Sequence, residues 1–315
     1  MSPSTFTIAA YGEGALYPSS NLRSITSSVQ SAGWNTLIFG LFHIGRVTAT
    51  PPQIEGDIYF NGTLIISQGK YLGDENWPAA VHELIGGSVT TLLASVGGAT
   101  PWVKDFATIQ TIYQNNKNSF QGTNLQKNFL LFHQLFPDFE AIDMDNEDNY
   151  DQTSFVAFCH MLIAIGFNIT FCPYTEQDFW TGSLAAIEEI NPGAVIWWNL
   201  QCYAGGSGND PQIWAGYITQ VLPNFNTTRY ILASDWSRFW NSDGNYWQGD
   251  CPNDTESLLA GFKAETCVGG AFIWTLDQIL GFDTMDKAHP GSGCSSGGGS
   301  QEAYVNAIRQ GLLLQ

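Results

Sequence analysis

Basic residues are scarce in this 315-residue chain: 11 lysines and arginines stand against 29 aspartates and glutamates, a formal net charge of −18. A surface so acidic repels phosphate backbones and anionic lipid headgroups, so neither nucleic acid nor a membrane surface is an expected partner. No apolar run approaches the roughly 18 residues that a membrane span needs. The first residues carry neither a basic stretch nor a long apolar run, so no signal peptide is visible in this chain. Cysteine is sparse too: six residues without Cys-x-x-Cys spacing, which removes zinc-ribbon and thioredoxin-type readings. The five histidines form no pair at metal-ligand spacing, so no metal and no cofactor are expected. His43, at a strand end, reads as a local hydrogen-bonding residue. There is no Gly-x-Gly-x-x-Gly opening a helix, no P-loop, no His-Glu-x-x-His and no Gly-x-Ser-x-Gly. The glycines at 205, 206 and 208 lead into Asn209-Asp210-Pro211, a loop rather than a phosphate-binding helix start.

What is present is apolar bulk. With 44% hydrophobic and 14% aromatic residues the chain can bury a large core, which excludes disorder and fibrous architectures. Short β-branched or apolar runs recur at 5–11, 35–42, 89–96, 141–144, 168–172, 194–202, 230–233 and 270–274. Between them lie helical periodicities such as 22–32, 126–136, 154–165 and 255–265. Eight strand-plus-helix units without a linker predict a single α/β domain over 1–315, a parallel (β/α)8 TIM barrel. Two segments exceed a minimal barrel. Residues 46–80 contain the stretch 57–67, whose Asn61-Gly62 pair between apolar flanks predicts a β-hairpin inserted after the second strand, at the barrel mouth. Residues 284–300 are glycine-rich and read as a flexible loop before a closing helix at 302–314.

Cys159, Cys172 and Cys202 lie in apolar stretches and read as buried, and Cys267 opens an apolar run. Cys251 and Cys294 lie in polar loops and can pair; six free thiols are the alternative. Sequons begin at Asn61, Asn168, Asn226 and Asn253. Together these features are read as an exported, extracellular protein in mature form, and a monomer is expected.

The most informative stretch is Glu140-Ala141-Ile142-Asp143-Met144-Asp145-Asn146-Glu147. On a strand, Asp143, Asp145 and Glu147 share one face while Ile142 and Met144 share the other. In a barrel the apolar set packs on helices, so the acids point inward near the C-terminal mouth, about 7 Å apart along the strand. Three like charges in a partly desolvated interior cannot all ionise cheaply, so at least one holds its proton near neutral pH, as a general acid requires. A calcium loop is the competing pattern, but the EF-hand glycine is absent and the flanks are strand-like. A solvated loop is disfavoured by the period of two leading out of an apolar run.

The stretch resembles the Asp-x-x-Asp-x-Asp-x-Glu signature of glycoside hydrolase family 18, the chitinase and endo-β-N-acetylglucosaminidase family, with Glu140 where the first Asp is usual. Three further motifs follow the family's order: Ser95-Val96-Gly97-Gly98 on the third strand, Gln201-Cys202-Tyr203 closing the sixth, and Gly269-Gly270 leading to Trp274 on the eighth. Tyr11 is the first strand's aromatic. Asn146, where chitinases commonly carry a large apolar residue, and Ala204, where Asp or Asn usually follows the tyrosine, depart from the pattern.

The resemblance implies a retaining hydrolase that cleaves β-linkages next to N-acetylglucosamine, with the sugar's own acetamido oxygen as nucleophile and an oxazolinium-type intermediate. It implies Glu147 as the acid and later base, Asp145 as the group orienting the acetamido, Asp143 as a proton-sharing partner beneath, and Tyr203 as a donor to the acetamido carbonyl. Substrate contacts are expected from Tyr11, Gln201 and Trp274, and, just after the fifth and seventh strands, from Tyr174, Asp235 and Trp236. Trp102, Trp180 and Trp240 also fall near strand ends and suit the apolar faces of sugar rings, core packing being the alternative for each. A chitinase acting on chitin or chito-oligosaccharides is the simplest reading. An endo-β-N-acetylglucosaminidase releasing N-glycans is the enzymatic alternative, and a non-catalytic carbohydrate-binding protein is the alternative of another class.

Overall fold

Eight strands close into a parallel ring in the computed structural model, which describes residues 6–45, 54–99, 103–295 and 299–313. The first half of the chain supplies β1 (Thr7–Gly12), α1 (Ser19–Ala32), β2 (Thr36–His43), β3 (Ile58–Phe60), β4 (Thr63–Ser67), β5 (Lys70–Tyr71), α2 (Trp77–Leu84), β6 (Thr91–Gly97), α3 (Asp105–Asn115), α4 (Asn124–Leu135) and β7 (Phe139–Asp145). The second half adds α5 (Gln152–Ile165), β8 (Asn168–Phe171), α6 (Gln177–Ile190), β9 (Val195–Asn199), α7 (Pro211–Val221), β10 (Ile231–Trp236), β11 (Phe239–Asn241), β12 (Tyr246–Gln248), α8 (Pro252–Ala260), β13 (Val268–Trp274), α9 (Leu276–Ala288) and α10 (Gln301–Gly311). Ring order is β1-β2-β6-β7-β8-β9-β10-β13, and β13 returns to pair with β1. The architecture is a (β/α)8 barrel, as the recurrence of strand-like runs predicts.

Alternation along the ring strands builds two cores. Outward-facing side chains such as Ile8, Ala10, Phe39, Ile142 and Met144 merge with the helices into one large buried cluster. Inward-facing Ala9, Tyr11, Ile38, Leu93, Ala141, Cys172, Leu232 and Phe272 form a smaller one inside the barrel. Each large apolar side chain so removed from water contributes roughly 1.5–3 kcal/mol before entropy is counted. The inner cluster is thin toward the C-terminal mouth, where polar side chains take over.

The hairpin predicted over 57–67 forms as β3 and β4, turning at Asn61-Gly62, with Asn61 in a left-handed conformation at φ 49°. Phe60 pairs with Phe42 at the end of β2. The Asn61 amide bonds back to the mouth strand: its Oδ1 accepts from Leu41 N at 3.1 Å and its Nδ2 donates to Gly40 O at 3.3 Å. The part of the insertion at 46–53 lies outside the described residues.

Several boundaries differ from expectation; the closing helix read at 302–314, for example, runs Gln301–Gly311. The helix read at 255–265 is α8, which starts earlier because Pro252 suits a first helical position, and stops before Gly261. The loop read at 284–300 begins later, because α9 continues through Ala288, its first turn capped by the Thr275 hydroxyl. Of the two open cysteine readings the structure takes pairing, Cys251 to Cys294, while Cys159, Cys172, Cys202 and Cys267 stay buried and free. Among the described residues no helix is long and apolar enough to cross a membrane.

Candidate active site

The acidic strand projects its carboxylates where the alternation requires. Ile142 and Met144 are fully buried in the outer core, whereas Asp143 and Asp145 point into the barrel. Asp143 is wholly buried and accepts four hydrogen bonds from four other strands. Tyr11 Oη and Ser95 Oγ donate to its Oδ2, each at 2.7 Å; Thr170 Oγ1 and Asn199 Nδ2 donate to its Oδ1 at 2.7 and 2.8 Å. Burial raises its pKa, and the hydroxyl donors oppose the rise. Ser95, Thr170 and Asn199 belong to the site though sequence reading passed over their roles. Ser95 was visible as part of a motif, but Thr170 and Asn199 carry no signal beyond lying on inward strand positions.

Asp145 and Glu147 form a pair. The amide of Gln201 bridges them, its Nε2 lying 3.2 Å from Asp145 Oδ1 and 3.2 Å from Glu147 Oε1. The two carboxyl groups also act on each other electrostatically. Burial first, then the charges of Glu147 and Asp143, hold Asp145 well above the usual carboxylate range. Burial also raises Glu147, opposed by its bonds to Gln201 and Asp145. The two therefore titrate as one unit that keeps a proton at pH values where a solvated carboxylate has lost it. Asp143 is filled by its four donors, which leaves Asp145 and Glu147 as the closely coupled acids of the strand.

The motif glycines explain how the pair fits. Gly97 and Gly98 have φ of 122° and 91°, and a Cβ on Gly97 would collide with the Asp145 carbonyl. Gly98 N donates to that same carbonyl at 2.7 Å, locking the end of β7 against β6. Beyond the strand, Asn146 accepts from Asp148 N and Asn149 N at 3.3 and 3.2 Å and donates to Asn149 O at 2.7 Å. Asp148 in turn accepts from Phe106 N and Ala107 N at 3.0 and 3.1 Å, in the first turn of α3. Glu147 is thus held between two anchored neighbours. Asn146, unusual against the family pattern, makes the turn that holds it. Glu140 is exposed at the opposite end of β7, so its departure from the pattern lies away from the chemistry.

Tyr203 stands beside the acids. Burial raises its hydroxyl pKa well above 10, and Cys172, Asp145 and Glu147 add to the rise, so it remains a donor. Its ring lies 6.0 Å from Trp236 and 6.4 Å from Phe272. Trp274, half-buried at the end of β13, packs 5.4 Å from Tyr11, which makes a floor below the pair. The hydroxyls of Tyr174 and Tyr150 are raised mainly by burial, and both feel the charge of Glu147. Tyr150, in the loop after the acid, was not foreseen and carries no motif.

One expected contact is not brought to the site. Asp235 lies on the outward face of β10, where its Oδ2 accepts from Thr255 of α8 at 2.5 Å. Burial, and then Asp250, push it up to about 7. The strand's parity decides this: Ser234 and Trp236 face in, so Asp235 faces out. Of the other tryptophans, Trp180 is core, buried against Phe155 and Phe171, and Trp240 lies on the β11–β12 hairpin. Trp102 lies outside the described residues. His43 bonds Asp105 through Nδ1 at 2.9 Å, a buried local pair. At the mouth beyond Tyr11, burial and Asp277 push Glu13 up to about 7, with His43 opposing. Among the described residues no group of three or more His, Cys, Asp or Glu is placed to hold a metal ion.

The barrel has structural counterparts. A GH18 chitinase from Pseudoalteromonas aurantia superposes with a TM-score of 0.59 at 13% identity, over 97% of this chain and 100% of that one. The fold is that of the family 18 chitinases. A GH18 chitinase from the chitin utilization locus of Flavobacterium johnsoniae gives 0.56 at 11% identity, over 96% and 94% of the two chains. Active domain 2 of a thermostable chitinase from Pyrococcus furiosus, studied with chito-oligosaccharides, gives 0.56 at 12% identity, over 99% and 96%. No family model and no curated protein matches the sequence. The fold likeness supports the family resemblance read from the four motifs.

Proposed function

We propose that this protein is a retaining glycoside hydrolase that cleaves β-linkages next to N-acetylglucosamine in chitin-type chains, with the substrate's acetamido group as nucleophile. The observation that carries the reading is the Asp145–Glu147 pair, bridged by Gln201 and neighboured by Tyr203 at the mouth of the barrel. The fold shared with chitinases supports it.

In this reading one proton moves between the two coupled acids. The free protein keeps that proton on the pair, held on Asp145. An acetamido N–H placed on Asp145 favours its charged form, and the proton passes to Glu147. Glu147 then protonates the leaving glycosidic oxygen as the acetamido oxygen attacks the anomeric carbon. Ionised Asp145 offsets the positive charge growing on the sugar, and that attraction is stronger in the transition state than in the ground state. Tyr203 donates to the acetamido carbonyl and fixes its approach. Departure of the leaving group leaves Glu147 ionised, ready to take a proton from water as it opens the bicyclic intermediate. Tyr11, Ser95, Thr170 and Asn199 hold Asp143 beneath the pair and so set the field in which that proton moves.

We place Gln201, Trp274, Tyr174 and Trp236 along the sugar path, whereas Tyr11, expected there, is buried beneath Trp274 and bonded to Asp143. We also propose a monomer, and an exported one, the export being supported by the Cys251–Cys294 disulfide. The deciding experiment assays chito-oligosaccharides and a high-mannose glycoprotein in parallel. Cleavage of the oligomers with retained anomeric configuration is expected. Glycan release from the glycoprotein alone would move the substrate to N-glycans; binding of either without cleavage would make the protein a lectin and overturn the catalytic reading.

A further inference from the structure

The β11–β12 hairpin, which follows β10 beside the candidate site, has two unlike faces. Cross-strand partners share a face, so Trp240 and Trp247 lie together on one side, and Phe239, Gln248, Asn241 and Tyr246 lie on the other. The tryptophan side is occupied. Trp240 stacks on His289 with ring centroids 4.0 Å apart, Trp247 packs 5.6 Å from Phe282, and its indole N–H donates to the His289 carbonyl at 3.0 Å. These contacts anchor the hairpin to α9 and the residue just after it.

The opposite side starts at the candidate site and runs outward. Phe239 stacks on Trp236 at 4.9 Å with 25° between the ring planes, and Trp236 lies 6.0 Å from Tyr203. Next comes an amide pair, in which Asn241 Nδ2 donates to Gln248 Oε1 at 3.1 Å. Tyr246 completes the row, 51% exposed. All four side chains on this face are uncharged, in a chain of net charge −18. The base is fixed as well: Arg238 donates through Nη1 to Gly249 O at 2.7 Å and through Nε to Ser292 O at 2.8 Å. The turn is held by Asn241 Oδ1, which accepts from Asp243 N and Gly244 N at 3.0 and 3.2 Å.

Such a face suits one class of ligand. Aromatic rings take the apolar C–H faces of pyranoses, while paired amides exchange hydrogen bonds with hydroxyl and acetamido groups. An apolar protein surface laid on the same face would bury the amide pair with its remaining valences unmet. We propose that this hairpin face is an additional saccharide-binding platform, continuing the cleft from Tyr203 through Trp236 and Phe239, and that it takes the units of a β-linked N-acetylhexosamine chain remote from the bond being cut. The inference rests on the glycosidase reading and deepens it: short substrates end before the platform and long ones reach it.

The test replaces Tyr246→Ala and Gln248→Ala, singly and together, and compares six-unit with three-unit chito-oligosaccharides. The ratio of kcat/KM for the long over the short substrate should fall about tenfold in the double variant, mainly through KM on the long one. A ratio within about twofold of the parent overturns the platform. Titration calorimetry of both oligomers into Glu147→Gln protein, with and without the two changes, separates the underlying reading from this one. If the parent neither cleaves nor binds the oligomers, the glycosidase reading falls and the platform with it. If the parent cleaves or binds them and the length preference does not move in the double variant, the platform alone falls.

Discussion

Two acidic groups sit at the same end of the barrel, and they face opposite ways. Asp143, Asp145 and Glu147 leave β7 toward the interior, where Gln201 and Tyr203 meet them. Asp235, near the end of β10, turns to α8 and sits against Thr255 and the charge of Asp250. Burial raises the carboxyl pKa in both places. A raised pKa at a barrel mouth therefore does not distinguish chemistry from packing. What separates the two is strand parity: the inner pair faces the barrel interior, bridged by Gln201, while the outer one is bonded into the helix layer.

That comparison can be broken at several points. The largest effect is expected from Glu147→Gln, which keeps the shape but cannot carry the proton; kcat on chito-oligosaccharides should fall by about 10³-fold or more. Turnover within about tenfold of the parent would remove Glu147 from the acid role. Tyr203→Phe removes one oriented donor and should lower kcat by roughly 10²-fold, measured under saturating substrate. An unchanged kcat would leave Tyr203 as packing only.

Thr170→Val takes one of the four donors from Asp143. A drop of about tenfold in kcat is expected, with a loss of roughly 1–3 kcal/mol in urea unfolding because a buried carboxylate oxygen loses a partner. Loss of stability with kcat unmoved would confine the cradle to a structural part.

The smallest catalytic effect is expected from Asp235→Asn, with kcat/KM within about threefold of the parent. Its effect shows in stability against pH instead. The unfolded pKa of Asp is about 4, and burial followed by Asp250 moves the folded value up to about 7. Between these values the folded protein binds more protons than the unfolded chain, so this group's contribution is fully present below about pH 4 and is lost as pH rises through about 7. The parent should therefore melt several degrees lower at pH 8 than at pH 5, and the Asn variant should show a flatter profile. An identical profile in both would place the pH response elsewhere, with Glu13, also raised to about 7, the next group to replace.

Much of the site was legible because a strand has a period of two. Once 141–144 reads as a strand leading into acids, Asp143, Asp145 and Glu147 must share a face, and the apolar Ile142 and Met144 say which face is the outer one. The same rule applied to Asp235 would have turned it outward, since Trp236 is its neighbour and cannot share its side. The donors to Asp143 were less legible. Ser95, Thr170 and Asn199 lie 48, 27 and 56 residues away along the chain, and a lone hydroxyl or amide on a strand carries no pattern. Tyr150 was invisible for another reason: it lies in a loop, where no periodicity tells which way a side chain points.

Local pattern alone settled the eight-strand alternation, the hairpin at Asn61-Gly62 and the facing of the acids, because these depend on short-range backbone geometry and on which side chains avoid water. The tertiary structure alone decided that Gln201 bridges Asp145 and Glu147, that Cys251 meets Cys294, and that the Trp240–Trp247 face of one hairpin packs on α9 while Tyr246 on the other face is exposed. Each of those rests on distances between segments far apart in the chain, and such distances are set by the closed ring as a whole.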